Sequence, residues 1–442
     1  MSGNELQPAG IGLMSADWDW QPGARTIVDL SSLEADLLPA SEVCFSSDGQ
    51  LTAWICMTED GEFQPVVNGQ AWEQTYDNIW NLRFTPDNRL LALVSSMGTW
   101  TLALDGDPWP EEYEYIWNPM ISRTGEVISA AVKKDGVYGI AVNGADWPVT
   151  YPNANGFTQS CDGDVIAAVV QTESLDEGDI NTFWQGIYTV SVNGQTWPET
   201  YVNVWSPCCW ENGSSVAATV RLSPTEYSIA VDGQCWPERY TGAWEPVFHP
   251  SEKSVIAPVR LGAKWALAQD GRILWPADFH QLWHQQVARD GTIAAIVAPR
   301  FGQFTVAKEG RPWTNSYPVV TDLVLHQDGG RAAAVGQAGL TLSNDSSQLS
   351  AQQWQVIVDD APWSGWYDRV FPPVFSQDGH HVAVRVEHSG KWTVLVDDRP
   401  YSRWFDRLWD PIFSPDSRKL LIKALDRGSV LRIVADLSEF GL

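Results

Sequence analysis

The sequence predicts an all-β chain, a β-propeller of about ten four-stranded blades. Three observations predict it. An Asp-Gly or Asn-Gly pair followed by tryptophan recurs at a near-constant interval, short runs rich in Val, Ile and Ala alternate with Gly- and Asp-bearing turns, and the 25 tryptophans outnumber both the 14 phenylalanines and the 12 tyrosines. Self-similarity of this period is the mark of a repeat architecture, and four short strands per unit is the arithmetic of a propeller blade.

The tryptophan motif is clearest as Asn68-Gly69 before Trp72, Asp105-Gly106 before Trp109 and Asn143-Gly144 before Trp147. It continues as Asn193-Gly194 before Trp197, Asp232-Gly233 before Trp236, Asp270-Gly271 before Trp275 and Glu309-Gly310 before Trp313. Asp359-Asp360 before Trp363 and Asp397-Asp398 before Tyr401 complete the series. Successive copies lie 37, 38, 50, 39, 38, 39, 50 and 38 residues apart, a period of about 38 with two insertions of about 12. Asn-Gly and Asp-Gly suit a two-residue hairpin because both central positions need positive φ.

A second marker runs in phase with the first, as Phe45-Ser46-Ser47-Asp48-Gly49, Phe84-Thr85-Pro86-Asp87-Asn88, Phe375-Ser376-Gln377-Asp378-Gly379 and Phe413-Ser414-Pro415-Asp416-Ser417. An apolar run such as Val165 to Val170 or Val382 to Val386 follows each marker, and a second run, such as Trp392 to Val396, enters the hairpin. Runs this short, β-branched and bounded by turn residues are strands. One unit therefore holds the Phe-Ser strand, the Val-Ala strand, the strand entering the hairpin and the aromatic strand leaving it.

Four residues after each motif aromatic stands another ring: Tyr76, Tyr113, Tyr151, Tyr201, Tyr240, Phe279, Tyr317, Tyr367 and Phe405. Eight residues after it stand Trp80, Trp117, Trp205, Trp244, Trp283, Phe371 and Trp409, with Asn155 and Thr321 breaking the pattern. Even offsets along one extended strand place all three rings on one face, where they are expected to fill the space between blades.

Ten Phe-Ser-type positions and nine hairpins imply about ten units, the last of which ends before its aromatic strand. Residues 1–25 are expected to form an N-terminal segment and residues 26–442 the propeller, with Thr26 to Val43 supplying the missing outer strand. Ten exceeds the usual four to eight blades, so two smaller propellers or an open array are the alternatives to one ring.

With 28 basic against 55 acidic side chains, the net charge of -27 disfavours nucleic acid and anionic lipid as direct partners and favours basic or neutral aromatic surfaces. The N-terminal stretch lacks the pattern of an export signal, and no run approaches the length of a spanning helix, so the expected chain is cytoplasmic with no direct membrane insertion. The cysteines Cys44, Cys56, Cys161, Cys208, Cys209 and Cys235 show no C-x-x-C and no four-cysteine cluster, so they are expected to be free buried thiols.

Neither a catalytic site, a metal site nor a cofactor is expected. His280 and His284 have metal-like spacing only on a helix, whereas this segment reads as aromatic strand. His380, His381 and His388 flank a strand and a turn without a nearby carboxylate or cysteine pattern, and are expected to be solvated. No G-x-S-x-G, P-loop or G-x-G-x-x-G occurs, and the Asp-Gly pairs lack the density of a calcium loop.

Binding is expected at the end of the barrel opposite the hairpins, which carries the longer connections, including the insertions around Glu173 to Asp179 and Ser343 to Ser350. Trp366 and Trp404 stand three residues after the motif aromatic, and Trp210 thirteen after Trp197. Odd offsets turn these rings away from the inward parity, which makes the three tryptophans the candidate partner contacts.

The Phe-Ser-x-Asp-Gly marker resembles the TolB-type and WD40-like propeller repeats. The whole-chain pattern Asp/Asn-Gly-x-x-Trp-Pro-x-x-x-Tyr, seen at Asn193 to Tyr201 and Asp232 to Tyr240, resembles the tryptophan-rich D subunit of the Tmc transmembrane redox complex of sulfate-reducing bacteria. That resemblance implies a cofactor-free cytoplasmic subunit, peripheral on the inner face of the membrane, which docks on iron–sulfur and cytochrome subunits and stabilises or regulates an electron-transfer complex in sulfate respiration. It carries no site residues across. The rival expectations are a propeller hydrolase or lyase with a site in the channel, and a free-standing sugar- or peptide-binding module.

Overall fold

The computed structural model describes residues 15–175, 179–211, 213–338 and 353–442. Ten antiparallel sheets follow one another along the chain. In blade 1 the strands are Cys44–Phe45, Thr52–Met57, Phe63–Val67 and Gln70–Ala71, paired in that order. Blade 2 repeats the plan with Asn78–Phe84, Leu90–Ser96, Thr99–Leu104 and Asp107–Pro108. Blades 3 to 9 open at Tyr115, Asn153, Asn203, Gly242, Gln281, Val319 and Arg369. Blade 10 is formed by Arg407–Leu408 and Ile412–Phe413, then Lys419–Asp426, Ser429–Asp436 and the N-terminal strand Gly23–Asp29.

The first strand is interrupted in its middle. Register slips between Trp80 and Arg83, with Asn81 at φ 55, and the same bulge recurs with positive φ at Asn118, Ser206 and His284. In blades 6, 9 and 10 the first strand splits in two at the bulge, beside Pro246, Pro372-Pro373 and Pro411.

First strands of neighbouring blades pack against one another, so they lie nearest the axis, and the short fourth strands form the rim. Apolar side chains from consecutive blades make ten clusters among the described residues, one at each junction. Leu91, Leu93 and Leu102 of blade 2, for example, meet Ile116, Ile128 and Val132 of blade 3. The tenth cluster closes the circle, joining Val28 and Val430 of blade 10 to Trp54 and Val66 of blade 1. The chain is therefore one ten-bladed β-propeller, and neither two smaller rings nor an open array.

The closing strand begins at Gly23 and pairs antiparallel with Ser429–Asp436 from Gly23 opposite Val434 to Asp29 opposite Ser429. Lys419 Nζ donates to the Trp20 carbonyl at 2.9 Å and Arg432 to the carbonyls of Asp48 and Asp19, so charged groups pin both the N-terminal segment and blade 1 to blade 10.

Candidate functional site

Turns joining strands 1 and 2 and hairpins joining strands 3 and 4 share one end of the ring, the hairpin end. Loops joining strands 2 and 3 and the crossings between blades share the other, the crossing end. The hairpins adopt the expected geometry, with φ 48 at Asn68 and 85 at Gly69, and even Asp359-Asp360 and Asp397-Asp398 hold positive φ without glycine.

The residue type before Gly has a second cause that spacing does not reveal. In all nine hairpins the Asn, Asp or Glu side chain accepts the backbone N–H that starts the second strand: Asn68 from Thr52 at 2.8 Å, Asp105 from Leu90 at 2.7 Å, and likewise through Asp397 from Val382 at 2.9 Å. Asp360, in place of glycine, accepts from the backbone of Thr314 at 2.8 Å and of Asn315 at 3.1 Å, which ties blade 8 to blade 7.

The aromatic series is divided differently from the expectation of three rings on one strand face. Trp72 and Tyr76 leave the hairpin of blade 1, and Tyr76 forms a bridge to Phe63, but Trp80 already belongs to the first strand of blade 2. The chain crosses from rim to axis between the second and third rings, so offset parity along one strand does not apply. Rings of the first two sets are buried or half-buried: Trp236, Tyr240 and Phe405 are buried, and Trp72, Trp109 and Tyr317 half-buried. The third set is more open: Trp80 and Trp244 are each 51% exposed and Trp205 39%.

Several of these axial rings face an aromatic on the third strand of their own blade, whereas Trp409 of blade 10 lies 4.7 Å from Phe45 of blade 1. Trp80 lies 5.0 Å from Trp100, Trp205 is stacked on Tyr227 at 6.1 Å, Trp244 is parallel to Trp265 at 5.1 Å, and Phe371 lies 5.0 Å from Trp392. In blade 9 a cation completes the pair. The Arg385 guanidinium sits 3.8 Å from the Phe371 centroid and 5.3 Å from Trp392, and its Nη2 is 3.0 Å from Asp410 Oδ1 at the bulge of blade 10. Lys423 takes the same position in blade 10, and burial pulls its ammonium down to about 8 against the support of Asp410 and Asp48.

The three tryptophans expected to contact a partner fall in two places. Trp366 and Trp404 lie one blade apart on the crossings out of blades 8 and 9, 36% and 42% exposed. Trp404 lies 6.5 Å from His388, which in turn lies 6.4 Å from Tyr367 and 3.9 Å from Asp368 Oδ2. Trp210 is on the hairpin end and apart from them. It replaces the serine of the Phe-Ser turn, stands 6.4 Å from Phe248 of the next blade, and keeps its Nε1 buried without a partner.

His380 and His388 are exposed, as expected, whereas His381 is half-buried. His381 Nδ1 is 2.6 Å from Asp397 Oδ2 and His388 faces Asp368, because the hairpin and the preceding crossing bring carboxylates that are distant in sequence. Two other histidines, His249 and His326, occupy the turn-serine position and are buried, with His326 Nδ1 2.7 Å from Asp328 Oδ1. His284 is exposed on the first-strand bulge, 4.0 Å from Glu245 Oε2.

All six cysteines are free, and burial raises every thiol, Cys44 and Cys209 to about 12. Among the described residues no three His, Cys, Asp or Glu side chains converge to hold a metal ion, and no helix is long and apolar enough to cross a membrane. The first insertion folds back on the ring where it is described: Asp179 caps the helix Ile180–Gln185, and Trp184 lies 5.0 Å from the Arg221 guanidinium of blade 5. Ser343 to Ser350 lie outside the described residues.

The chain matches no protein-family model and no curated protein. Among solved structures it is similar to a eukaryotic initiation factor, at 12% identity and a TM-score of 0.46, covering 76% of this chain and 90% of that one. The Dos1 propeller aligns over 97% of this chain and 96% of its own, at 11% identity and a TM-score of 0.32. A study of two prolyl endopeptidases supplies a third likeness, at 12% identity and a TM-score of 0.37, over 86% of this chain and 56% of that one. Likenesses at these values carry no function across.

What sequence reading missed is the ring of positions shared by all blades near the axis. Aligning the second strands puts Ile55, Leu93, Ala131, Val169, Thr219, Pro258, Ile296, Val335, Arg385 and Lys423 at one level. Only Thr219, Arg385 and Lys423 are polar, a departure visible once the blades are superposed.

Proposed function

We propose that this protein is a non-catalytic docking propeller that stabilises or regulates a membrane-associated electron-transfer complex, as its resemblance to the tryptophan-rich Tmc subunit implies. On this reading it binds iron–sulfur and cytochrome subunits from the cytoplasmic side and holds no cofactor itself. The observation that carries the docking role is the pair Trp366 and Trp404, exposed at equivalent places on successive crossings. Large exposed rings are stabilised when a partner covers them, and tryptophan is enriched among residues that dominate binding energy. The charge of -27 favours a basic contact surface and speeds encounter with it.

The test is purification of the tagged native protein from membranes in mild detergent, followed by mass spectrometry of co-eluting chains and a visible absorption spectrum. Recovery of haem and iron–sulfur subunits is the expected result. A colourless, solitary protein overturns the reading.

A further inference from the structure

We infer that the crossing end of the ring rests on the surface of a zwitterionic lipid bilayer, with the loop tips at Met97 and Phe301 dipping into the headgroup layer. This goes beyond the docking role above, because the ligand is the lipid itself and no partner subunit is needed to hold it.

Apolar exposure is distributed unequally between the two ends. Met97 is 96% exposed and Phe301 88%, each at the tip of a loop joining strands 2 and 3. Leu261 stands exposed where the second strand of blade 6 ends, and Ile180 is 64% exposed on the insertion helix of blade 4. Trp366 and Trp404 lie on the same end. Among the described residues, the hairpin end and its rim expose only Leu442, at the C-terminus, and Ile273 and Leu274, on the fourth strand of blade 6.

Met97 also holds a backbone that an apolar side chain does not favour. It is the first central residue of the two-residue hairpin Met97-Gly98, at φ 51. The matching residues of blades 3, 9 and 10 are Asp135, Ser389 and Arg427, each before glycine and at φ 52, 52 and 50. All three are polar, as suits an exposed turn. A methionine in the left-handed region gains nothing for the turn and, exposed as it is, nothing from the core. Contact with an apolar phase outside the chain supplies the stabilisation that the fold does not.

The placement of the tips selects a flat partner. Met97 belongs to blade 2 and Phe301 to blade 7, half a turn apart in a ring of ten. Ile180 lies in one arc between them, and Trp366 and Trp404 in the other. Separate tips spread around a rigid face match an extended plane, whereas the contacts that hold a protein partner cluster about one centre. A second copy on the same face is disfavoured, because each chain carries a charge of -27. Exposed Arg260 and Arg300 stand beside Leu261 and Phe301 and suit lipid phosphates. The blade 1 loop carries exposed Glu59, Asp60 and Glu62, which excludes an anionic surface and leaves a zwitterionic one. No spanning run is required, since the tips enter only the interface.

The test mixes the purified full chain with protein-free phosphatidylcholine vesicles and reads co-flotation in a density gradient as lipid concentration rises. Wild type is expected to float with the vesicles. Met97→Asn, which suits the left-handed turn, and Phe301→Ser are each expected to weaken partitioning about tenfold at an unchanged melting temperature. Ile273→Ser, away from the crossing end, is expected to change it less than about twofold. Phosphatidylserine added to the vesicles is expected to lower binding, because the chain is acidic. Wild type that stays at the bottom of the gradient overturns the proposal, as does an equal loss in Ile273→Ser, which would mean general apolar adhesion. Flotation only with native membranes, abolished once these are treated with protease, would assign the tips to a protein and overturn it. A lipid-free dimer in light scattering that Phe301→Ser dissolves would assign them to a second copy and overturn it too. No partner subunit is present in the assay, so its failure and the failure of the membrane purification are distinguishable.

Discussion

The Tyr113 hydroxyl donates a 2.6 Å hydrogen bond to Asp146 Oδ1 on the next blade. Tyr201 and Tyr240 repeat the link by donating to the hairpin carbonyls of Gly233 and Gly271. At these three junctions the ring that leaves one blade thus fills the junction with its body and hydrogen-bonds the following blade with its tip. Tyr113→Phe removes only the tip, and the exposed Asp146 regains water. The expected cost is about 1 kcal/mol. Tyr113→Ala also empties the junction and is expected to cost roughly 3 to 5 kcal/mol. Urea denaturation of the two variants checks the order.

The same burial sets an alkaline limit. Desolvation raises the phenols of Tyr76, Tyr113, Tyr201, Tyr240, Tyr317, Tyr367 and Tyr401 above 10.0. It raises all six thiols above 9.0. A group with a raised folded pKa stays neutral in the native state after its unfolded counterpart ionises. Its contribution is complete below the unfolded value and lost as pH rises through the folded one. The melting temperature is expected to fall steadily above pH 9. A scanning-fluorimetry series that stays flat to pH 11 would contradict it.

Hairpin residues carry two requirements at once, which predicts an order of substitutions at Asn143. It holds φ 48, and its Oδ1 accepts the Ile128 N–H at 2.8 Å. Asp keeps both properties. Gly keeps the dihedral and loses the acceptor, and Ala loses both. Leaving the strand N–H unpaired costs about 1 to 3 kcal/mol, and the left-handed backbone adds about 1 to 2 kcal/mol for alanine. Melting temperatures are expected to run Asn and Asp highest, then Gly, then Ala.

The blade plan was legible because turn chemistry is local: a pair such as Asp232-Gly233 fixes a hairpin whatever surrounds it. Ring position was less legible. Trp80 follows Tyr76 by four residues just as Tyr76 follows Trp72, yet the chain passes from rim to axis between Tyr76 and Trp80. Periodicity counts residues along a strand and cannot see that the strand has ended. His381 and Asp397 meet for a related reason, since a 16-residue separation closes only when the second and third strands pair. Thr219 carried no signal alone, because a threonine in an apolar strand is ordinary until nine other blades show what belongs there.

Trp366 and Trp404 separate binding from stability. Both are exposed, so replacing them with alanine removes little buried area, and the expected change is within about 0.5 kcal/mol. Loss of two rings from the centre of an interface is expected to cost about 2 kcal/mol or more apiece in association. The double variant is expected to melt like wild type and to recover far less of the complex from membranes. Recovery equal to wild type would remove these crossings from the interface.

Closure of the ring is expected to depend on Gly23–Asp29 more than on any junction cluster. The strand supplies the whole fourth position of blade 10, and its Val28 is buried against Val430 and Trp54. Removing residues 1–29 leaves the edge of Ser429–Asp436 unpaired, and an open, flat strand edge recruits another chain. It also strips Arg432 and Lys419 of the carbonyls of Asp19 and Trp20. Arg432 is only 4% exposed, so its lost acceptor is not readily replaced by water. The truncated protein is expected to melt lower and to associate with rising concentration on size-exclusion chromatography. A synthetic peptide of residues 15–33 is expected to restore the monomer, since it carries the strand and both carbonyls. A truncated chain that stays monomeric with an unchanged melting temperature would show that packing between blades 10 and 1 closes the ring without the strand.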